Sequence, residues 1–291
     1  MGVSGKRFEG RRHSGPRRLA AMLVNRVNHG RAARHLKSRP QLAIFAFDHI
    51  GLRINLFGRY EADILELVGD FLREGVKVDR STTALDIGAN IGNHSVFLSE
   101  IFARVLAFEP NPRTFKLLDF NAEGRAIEAF NFGASDADGR AGLAVDEDNV
   151  GGAHVTREGE AANVAIELRR LDDVAAVREA RIGFIKIDVE GHELAALRGA
   201  ERVIDTQRPI VMFEQDEGEI AGGTSPVIEY LRSKDYRFMT VEDVVPRVPR
   251  AIRRGFNAAW QGLFGFRKAL VPAETFEKRF HYAILAIPDE R

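Results

Sequence analysis

Leu85-Asp86-Ile87-Gly88-Ala89-Asn90-Ile91-Gly92-Asn93-His94-Ser95 decides how this chain folds. The stretch follows a short apolar run, residues 82–87, and precedes a helical-looking one, residues 96–102, so it reads as a strand, a glycine turn and a helix start. In an open α/β sheet that turn is where a nucleotide sits. Its glycines are Gly88 and Gly92, and Asp86 stands where a dinucleotide-binding turn has its first glycine. A carboxylate there repels a pyrophosphate. It suits a cofactor that offers a hydroxyl, an ammonium or a sulfonium, and S-adenosylmethionine carries all three; the alternative is a turn without a ligand.

A chain of 291 residues with 45% hydrophobic composition can bury one large core, or one core with a small appendage. Lysine plus arginine equal aspartate plus glutamate at 42 each, so net charge selects no partner. The absence of cysteine excludes disulfides, thiolate metal sites and cysteine nucleophiles, and is compatible with a reducing cytoplasm. No apolar run approaches the roughly 18 to 20 residues that span a bilayer. The apolar residues 19–24 are too few for a secretory signal core of about 7–15 residues. The expectation is a cytoplasmic protein, soluble or peripheral at a membrane.

Outward from the turn, residues 1–40 form a basic arm whose single acid is Glu9. Such a segment buries too little apolar surface to offset its ordering entropy, so we expect it to be largely disordered, with residues 19–36 able to form a basic amphipathic helix. RNA, an anionic membrane surface or an import machinery would each suit the arm, as would no partner at all. Residues 41–80 suggest a hairpin, with apolar runs 42–47 and 52–57 joined by Asp48-His49-Ile50-Gly51, and then a helix on which Ile64, Leu65, Val68 and Leu72 recur.

Residues 81–291 alternate strand-like runs (82–87, 105–108, 129–132, 182–189, 209–213, 236–241, 282–287) with helical ones (93–102, 115–120, 193–204, 226–234). This is an α/β pattern, a mostly parallel sheet covered by helices on both faces. Residues 133–167 are polar and glycine-rich, read as short strands and a mobile loop holding Asn149, Gly151, Gly152 and His154. An insertion before the last strand, residues 247–272, mixes arginines with Phe256, Trp260 and Phe264. It fits a lid over an acceptor, or a helix lying on a membrane.

Ligands of such sheets bind beyond the carboxyl ends of the strands. Glu109 ends the second strand, about 20 residues beyond the glycine turn, where an acid accepts from ribose hydroxyls. Asp136, after the third strand, could accept from an adenine amino group or simply form a turn. The fourth strand is anomalous: in Ile185-Lys186-Ile187-Asp188-Val189-Glu190-Gly191-His192-Glu193, period two puts Lys186, Asp188 and Glu190 on one side. Charges on a central strand cost stability unless paired or near water, so they mark function or a structural ion-pair network. Lys186 is most simply an ion partner for an acid, Asp188 lies beside the cofactor, and Glu190 or His192 faces the substrate. Glu214, ending the fifth strand, adds a further polar group.

These residues together resemble a known family. Asp86-Ile-Gly-Ala-Asn-Ile-Gly92, Phe108-Glu-Pro-Asn-Pro112, Ala134-Ser-Asp136, the fourth-strand motif and Leu197-Arg-Gly-Ala200 look like the FkbM family of S-adenosylmethionine-dependent methyltransferases. The resemblance runs from about residue 58 to 214 and implies a class I methyltransferase fold, with O-methylation of hydroxyls on sugars, glycolipids or secondary metabolites. It implies Asp86, Gly88, Asn90, Gly92 and Glu109 as cofactor contacts, with Asp188 and Glu190 in the active site. Glu61, Ala89, Ser95 and Pro110, beside these motifs, complete the cofactor-binding candidates, with Asp136 and Asp188.

A sugar hydroxyl is a weak acid and needs a base or a metal. The candidate bases are Glu190, His192, Asp188, Glu214 and His154, and the alternative is a magnesium ion held by Asp188 and Glu214. A metal is not part of the principal reading. An RNA 2′-O-methyltransferase using the basic arm is a further alternative, but Lys186 is buried along its strand and the fifth strand ends without a lysine, which argues against nucleic acid. The sequence is silent on oligomeric state.

Overall fold

The computed structural model describes residues 15–46, 48–145, 153–156, 162–244 and 267–289. Helix α1 (Gly15–His35) opens the described chain, and none of its residues is buried. The basic helix expected over residues 19–36 is thus formed and begins earlier, at Gly15, as its alanine, leucine and arginine content favours. Residues 1–14 lie outside the described part.

The expected hairpin is also not formed. Residues 49–57 are a helix instead, α2 (His49–Phe57), because Asp48 caps it: Oδ2 accepts from the amides of Ile50 (3.0 Å) and Gly51 (3.4 Å). Gly51 serves close packing, since a Cβ there would overlap the carbonyl oxygen of Phe45. Apolar runs this short do not distinguish strand from helix by periodicity. Helix α3 (Ala62–Asp70) follows, burying Ile64, Leu65 and Val68, and continues as one wide turn over Phe71–Gly75. A fully buried Leu65 contributes roughly 1.5–3 kcal/mol.

The main body runs β1 (Thr83–Ile87), α4 (Asn93–Leu98), β2 (Arg104–Phe108), α5 (Pro112–Ala122) and β3 (Ile127–Phe130). A side sheet comes next, from β4 (Gly133–Ala134), β5 (Gly139–Ala144), β6 (His154–Val155) and β7 (Val164–Arg169). After the short α6 (Ala175–Arg178) come β8 (Ile182–Ile187), α7 (Glu193–Gly199), α8 (Glu201–Gln207), β9 (Ile210–Gln215), α9 (Pro226–Ser233), β10 (Tyr236–Val244), β11 (Arg267–Ala273) and β12 (His281–Pro288).

The large sheet has the order β11-β10-β12-β9-β8-β1-β2-β3. Strands β9 through β3 are parallel, and β12, β10 and β11 pair antiparallel at the other end. This arrangement is the class I methyltransferase fold, with β11 added at the edge. One sheet face packs Leu85, Leu106, Ile185 and Phe213 against Leu197, Ile204 and Leu231 of α7, α8 and α9. The other packs Ala84, Val105, Phe184 and Met212 against α3 and α4.

Three boundaries differ from expectation. The third strand stops at Phe130, and Phe132 turns inward to meet the rings of Phe108 and Phe130 at 5.3 and 5.8 Å. The helix expected over 193–204 divides at Ala200, next to Gly199, where a Cβ would overlap the carbonyl oxygen of Ser135. Residues 267–272 of the supposed lid are strand, paired with β10 from Val244↔Arg267 onward; Phe256, Trp260 and Phe264 lie outside the described residues. Among those residues, no helix is long and apolar enough to cross a membrane.

Candidate active site

A cavity of about 440 Å³ opens at the carboxyl ends of β1, β2, β8 and β9. It lies where the chain's crossovers reverse direction, between β1 and β8, as ligand sites in such sheets do. Glu61, Gly88, Ala89, Asn90, Glu109, Pro110, Asp188, Glu190, His192 and Glu214 all line it.

The turn after β1 is held by the end of β2. The amides of Gly88 and Ala89 donate to Phe108 O at 3.0 and 2.9 Å, and that of Asn90 donates to Glu109 Oε2 at 2.9 Å. Gly88 has φ 76°, and a Cβ on it would overlap the carbonyl oxygen of Asp188, so only glycine lets β1 and β8 end this close together. Glu109 Oε1 accepts from the Asn111 amide at 2.8 Å. Burial outweighs these bonds and pushes the Glu109 carboxyl up to about 7.

Asp86 does not reach the cavity. It is fully buried one layer beneath, where Oδ2 accepts from Ser95 Oγ at 2.5 Å and Oδ1 faces Lys186 Nζ at 3.4 Å. Strand alternation turns Asp86 toward α4, so Asp86 and Ser95, both expected at the cofactor, support the turn from below. Gly92 likewise stands behind the turn as the left-handed residue opening α4. Lys186 also approaches Asp188 Oδ2 at 3.4 Å and donates to Gly88 O at 3.0 Å. Burial alone would lower its pKa, but Asp188, Asp86 and Glu214 together push it up and keep it charged.

Beyond β8 the chain turns sharply, with Glu190 at φ 49° and Gly191 at φ 89°. Glu193 Oε1 fixes this turn by accepting from the amides of Val189 (3.2 Å) and Gly191 (3.1 Å). Glu190 reaches solvent at the rim. Desolvation on its cavity side, then Asp188 and Glu193, push it up to about 7. His192 Nε2 lies 3.0 Å from Ser135 Oγ, and burial lowers its pKa, favouring the neutral ring. Glu214 is held well above the usual carboxylate range by burial, Asp188 and Glu61. Glu61, Asn90 and Glu190 all adopt positive φ around this one cavity, and strained residues concentrate at functional sites.

Two expectations fall away from the cavity. Asp136 is exposed and accepts from Ser135 Oγ (3.3 Å), while Gly133 and Ala134 form the wall. His154 is on β6, between the lining residues Ala153 and Val155, and its charge bears on Glu190; Asn149, Gly151 and Gly152 lie outside the described residues. The supposed magnesium site is not supported either. Asp188 is engaged by Lys186, and among the described residues no group of three His, Asp or Glu side chains is placed to hold a metal.

The N-terminal segment supplies residues that the sequence reading passed over. Asn93 takes both the amide and the carbonyl of Tyr60 (3.0 and 3.1 Å), and Asn121 does the same for Ala43 (2.7 and 3.0 Å) while also donating to Ile91 O (2.7 Å). His94 Nε2 lies 3.3 Å from Glu61 Oε2. These bonds bring Tyr60 to the cavity edge, with the His49 ring against it and with Glu61, already a cofactor-binding candidate from the sequence, beside it. Thr114 also lines the cavity, with its buried hydroxyl lacking a hydrogen-bond partner. Each tether joins residues far apart in sequence, so no local pattern announces it.

Residues 86–238 match the FkbM methyltransferase domain. The chain is 30% identical over 171 residues to the hexuronic acid methyltransferase AglP of Haloferax volcanii, covering 58% of this chain and 65% of that protein. It is 29% identical over 156 residues to the methyltransferase sdnD of Sordaria araneosa, covering 40% and 60%. The chain thus spans less than two thirds of either relative. Among solved structures, an FkbM methyltransferase from Methylobacillus flagellatus is similar with a TM-score of 0.43 at 19% identity, covering 81% of this chain and 52% of that one.

Proposed function

Because the chain belongs to the FkbM family of methyltransferases, we propose that it is an S-adenosylmethionine-dependent O-methyltransferase acting on a hydroxyl of a glycan, and in particular of an acidic sugar. The observation that carries this reading is one cavity lined from both sides of β1: Glu109, Pro110 and Thr114 belong to the chain that follows β2, and Glu190 and Glu214 to the ends of β8 and β9. The hexuronic acid methyltransferase among the relatives favours a sugar as acceptor.

The residues present fit the cofactor. Glu109 keeps lone pairs for two ribose hydroxyls, and the unpartnered Thr114 hydroxyl belongs to a residue of the same cavity lining. When bound, S-adenosylmethionine supplies an activated methyl group to an oxygen aligned behind it. The chain must align the acceptor hydroxyl and take its proton. Glu190 is the base we favour, since a carboxylate titrating near 7 both accepts and releases a proton at neutral pH. His192, kept neutral, is the second candidate. Glu214 holds its proton and donates a hydrogen bond to the acceptor, and Asp188, bound to Lys186, orients rather than deprotonates.

We also propose that α1 contacts anionic membrane surfaces. Leu19, Met22, Leu23 and Val27 are each about 60% exposed beside Arg18 and Arg26, and α1 contains no acid. Flotation with phosphatidylglycerol vesicles tests this; binding unchanged by deleting residues 1–35 would refute it.

The decisive experiment for the activity is transfer of a radiolabelled methyl group from S-adenosylmethionine into uronic-acid glycans or RNA. Label in the glycan is expected; label in RNA alone would replace this reading with the nucleic-acid one.

A further inference from the structure

A second concavity, of about 770 Å³, adjoins the reaction cavity, and His49, Tyr60, Glu61 and Tyr282 line both. Both volumes lie within the roughly 300–1,000 Å³ typical of small-molecule sites. Of the shared residues, Tyr282 is on β12, which with β9 and β8 lies on the opposite side of β1 from Glu109. An acceptor larger than one sugar, with its reacting hydroxyl beside Glu190 and Glu214, would extend into this groove.

The groove has its own chemistry. Phe57 and Tyr282 expose 49% and 52% of their surfaces, and each ring carries a cation over it, Arg53 at 5.8 Å and Lys268 at 5.5 Å, so the C–H face of a sugar would lie on the exposed part that each cation leaves. Its cations are not equivalent. Arg59 is buried, bonded to Glu100 and laid over the Phe97 ring. Lys268 is paired with Asp243 at 3.1 Å and Asp63 at 3.7 Å. Arg53, on the exposed side of α2, rests over the Phe57 ring at 5.8 Å and has no ion pair with any described carboxylate. A guanidinium backed by an aromatic ring, with its donors open, is suited to a carboxylate or phosphate oxygen pair.

We infer that this groove is an acceptor subsite for an acidic oligosaccharide, in which the sugar next to the methylated one stacks on Tyr282 and Phe57 and its anionic group is held by Arg53. The inference rests on the glycan reading above and narrows it to acceptors of at least two sugars.

The test is isothermal titration of the S-adenosylhomocysteine-loaded protein. The probes are a hyaluronan tetrasaccharide, its carboxyl-reduced counterpart and methyl glucuronide, with methyl transfer assayed in parallel. The tetrasaccharide is expected to bind at least about tenfold more tightly than its reduced counterpart. Arg53→Ala should remove that difference, Arg53→Lys retain part of it, and methyl glucuronide binding stay within about twofold in both variants. Competition by glucose 1-phosphate that depends on Arg53 would assign phosphate as the anion. Equal binding of all probes to wild type and Arg53→Ala, or no binding at all, would overturn the subsite. Arg53-dependent binding without methyl transfer would leave the subsite standing and remove the methyltransferase reading. Methyl transfer to a glycan, unaffected by Arg53→Ala, would do the reverse.

Discussion

Lys186 Nζ lies 3.4 Å from Oδ1 of Asp86 on the neighbouring strand, and both side chains are buried. The register pairs these two residues directly across β1 and β8, so the pair locks together the two strands whose ends form the floor of the cavity. Removing one partner leaves the other charge buried and uncompensated. Lys186→Met should therefore destabilise the fold by about 3–5 kcal/mol in urea unfolding. Adding Asp86→Asn to that variant should restore part of the loss. A loss for Lys186→Met near the ordinary value of about 1 kcal/mol would mean the pair is not holding the strands.

Glu109 links stability to pH. Its folded carboxyl is raised to about 7, against an ordinary value of 4.5. Between those values the folded chain keeps a proton that the unfolded chain has lost, so acid favours the folded state and stability falls as pH rises through 7. The ligand-free protein should accordingly melt at a higher temperature at pH 5.5 than at pH 8, all else equal, and Glu109→Gln should flatten that slope. Parallel curves for the two proteins would show that Glu109 is not the group responsible.

Glu190 gives a prediction about rate. With a carboxyl titrating near 7, turnover should rise with pH through that region and then level off, because the base works only when deprotonated. Glu190→Gln should lower kcat by about 10²–10⁴ and abolish the rise, while S-adenosylhomocysteine binding is retained. If His192→Ala removes the rise and Glu190→Gln does not, the base is His192.

Glu193 should act through the loop and not through chemistry. Its Oε1 holds the amides of Val189 and Gly191, and the strained Glu190 lies between them. Glu193→Ala should lower kcat by about tenfold or more as the turn relaxes, whereas Glu193→Gln keeps an acceptor oxygen and should recover most of it. Equal losses in both variants would indicate a role for the charge itself.

The parts of this site that were legible in sequence are those that one local segment specifies. The turn at Gly88, the acid at Glu109 and the charged end of β8 each follow from strand period and spacing, and the structure gathers them at one cavity. Asp86 lies beneath the turn and does not line the cavity, because spacing says which residues lie near a ligand, but only the direction of a strand side chain decides whether it reaches. Helix α2 was misread as strands because Asp48 capping outweighed an ambiguous apolar pattern. Tyr60, His94 and Asn121 were missed because their partners are distant in the chain.

Gly88 and Gly92 offer the sharpest contrast within the opening motif. Both have positive φ, at 76° and 88°, so both would be strained by any side chain. They differ in what the added carbon meets. At Gly88 it overlaps the backbone oxygen of Asp188, which cannot move without parting β1 from β8; at Gly92 it meets Leu118 Cδ1 at 2.9 Å, the far end of a flexible side chain. Gly92→Ala should therefore cost about 1–2 kcal/mol, the backbone term alone, and keep cofactor binding. Gly88→Ala should cost about 4 kcal/mol or more and abolish binding of S-adenosylhomocysteine even where the protein remains folded. Circular dichroism melts and titration of the two variants side by side check this. Equal losses would show that the left-handed turn, and not the close approach of the two strand ends, is what the motif's first glycine provides.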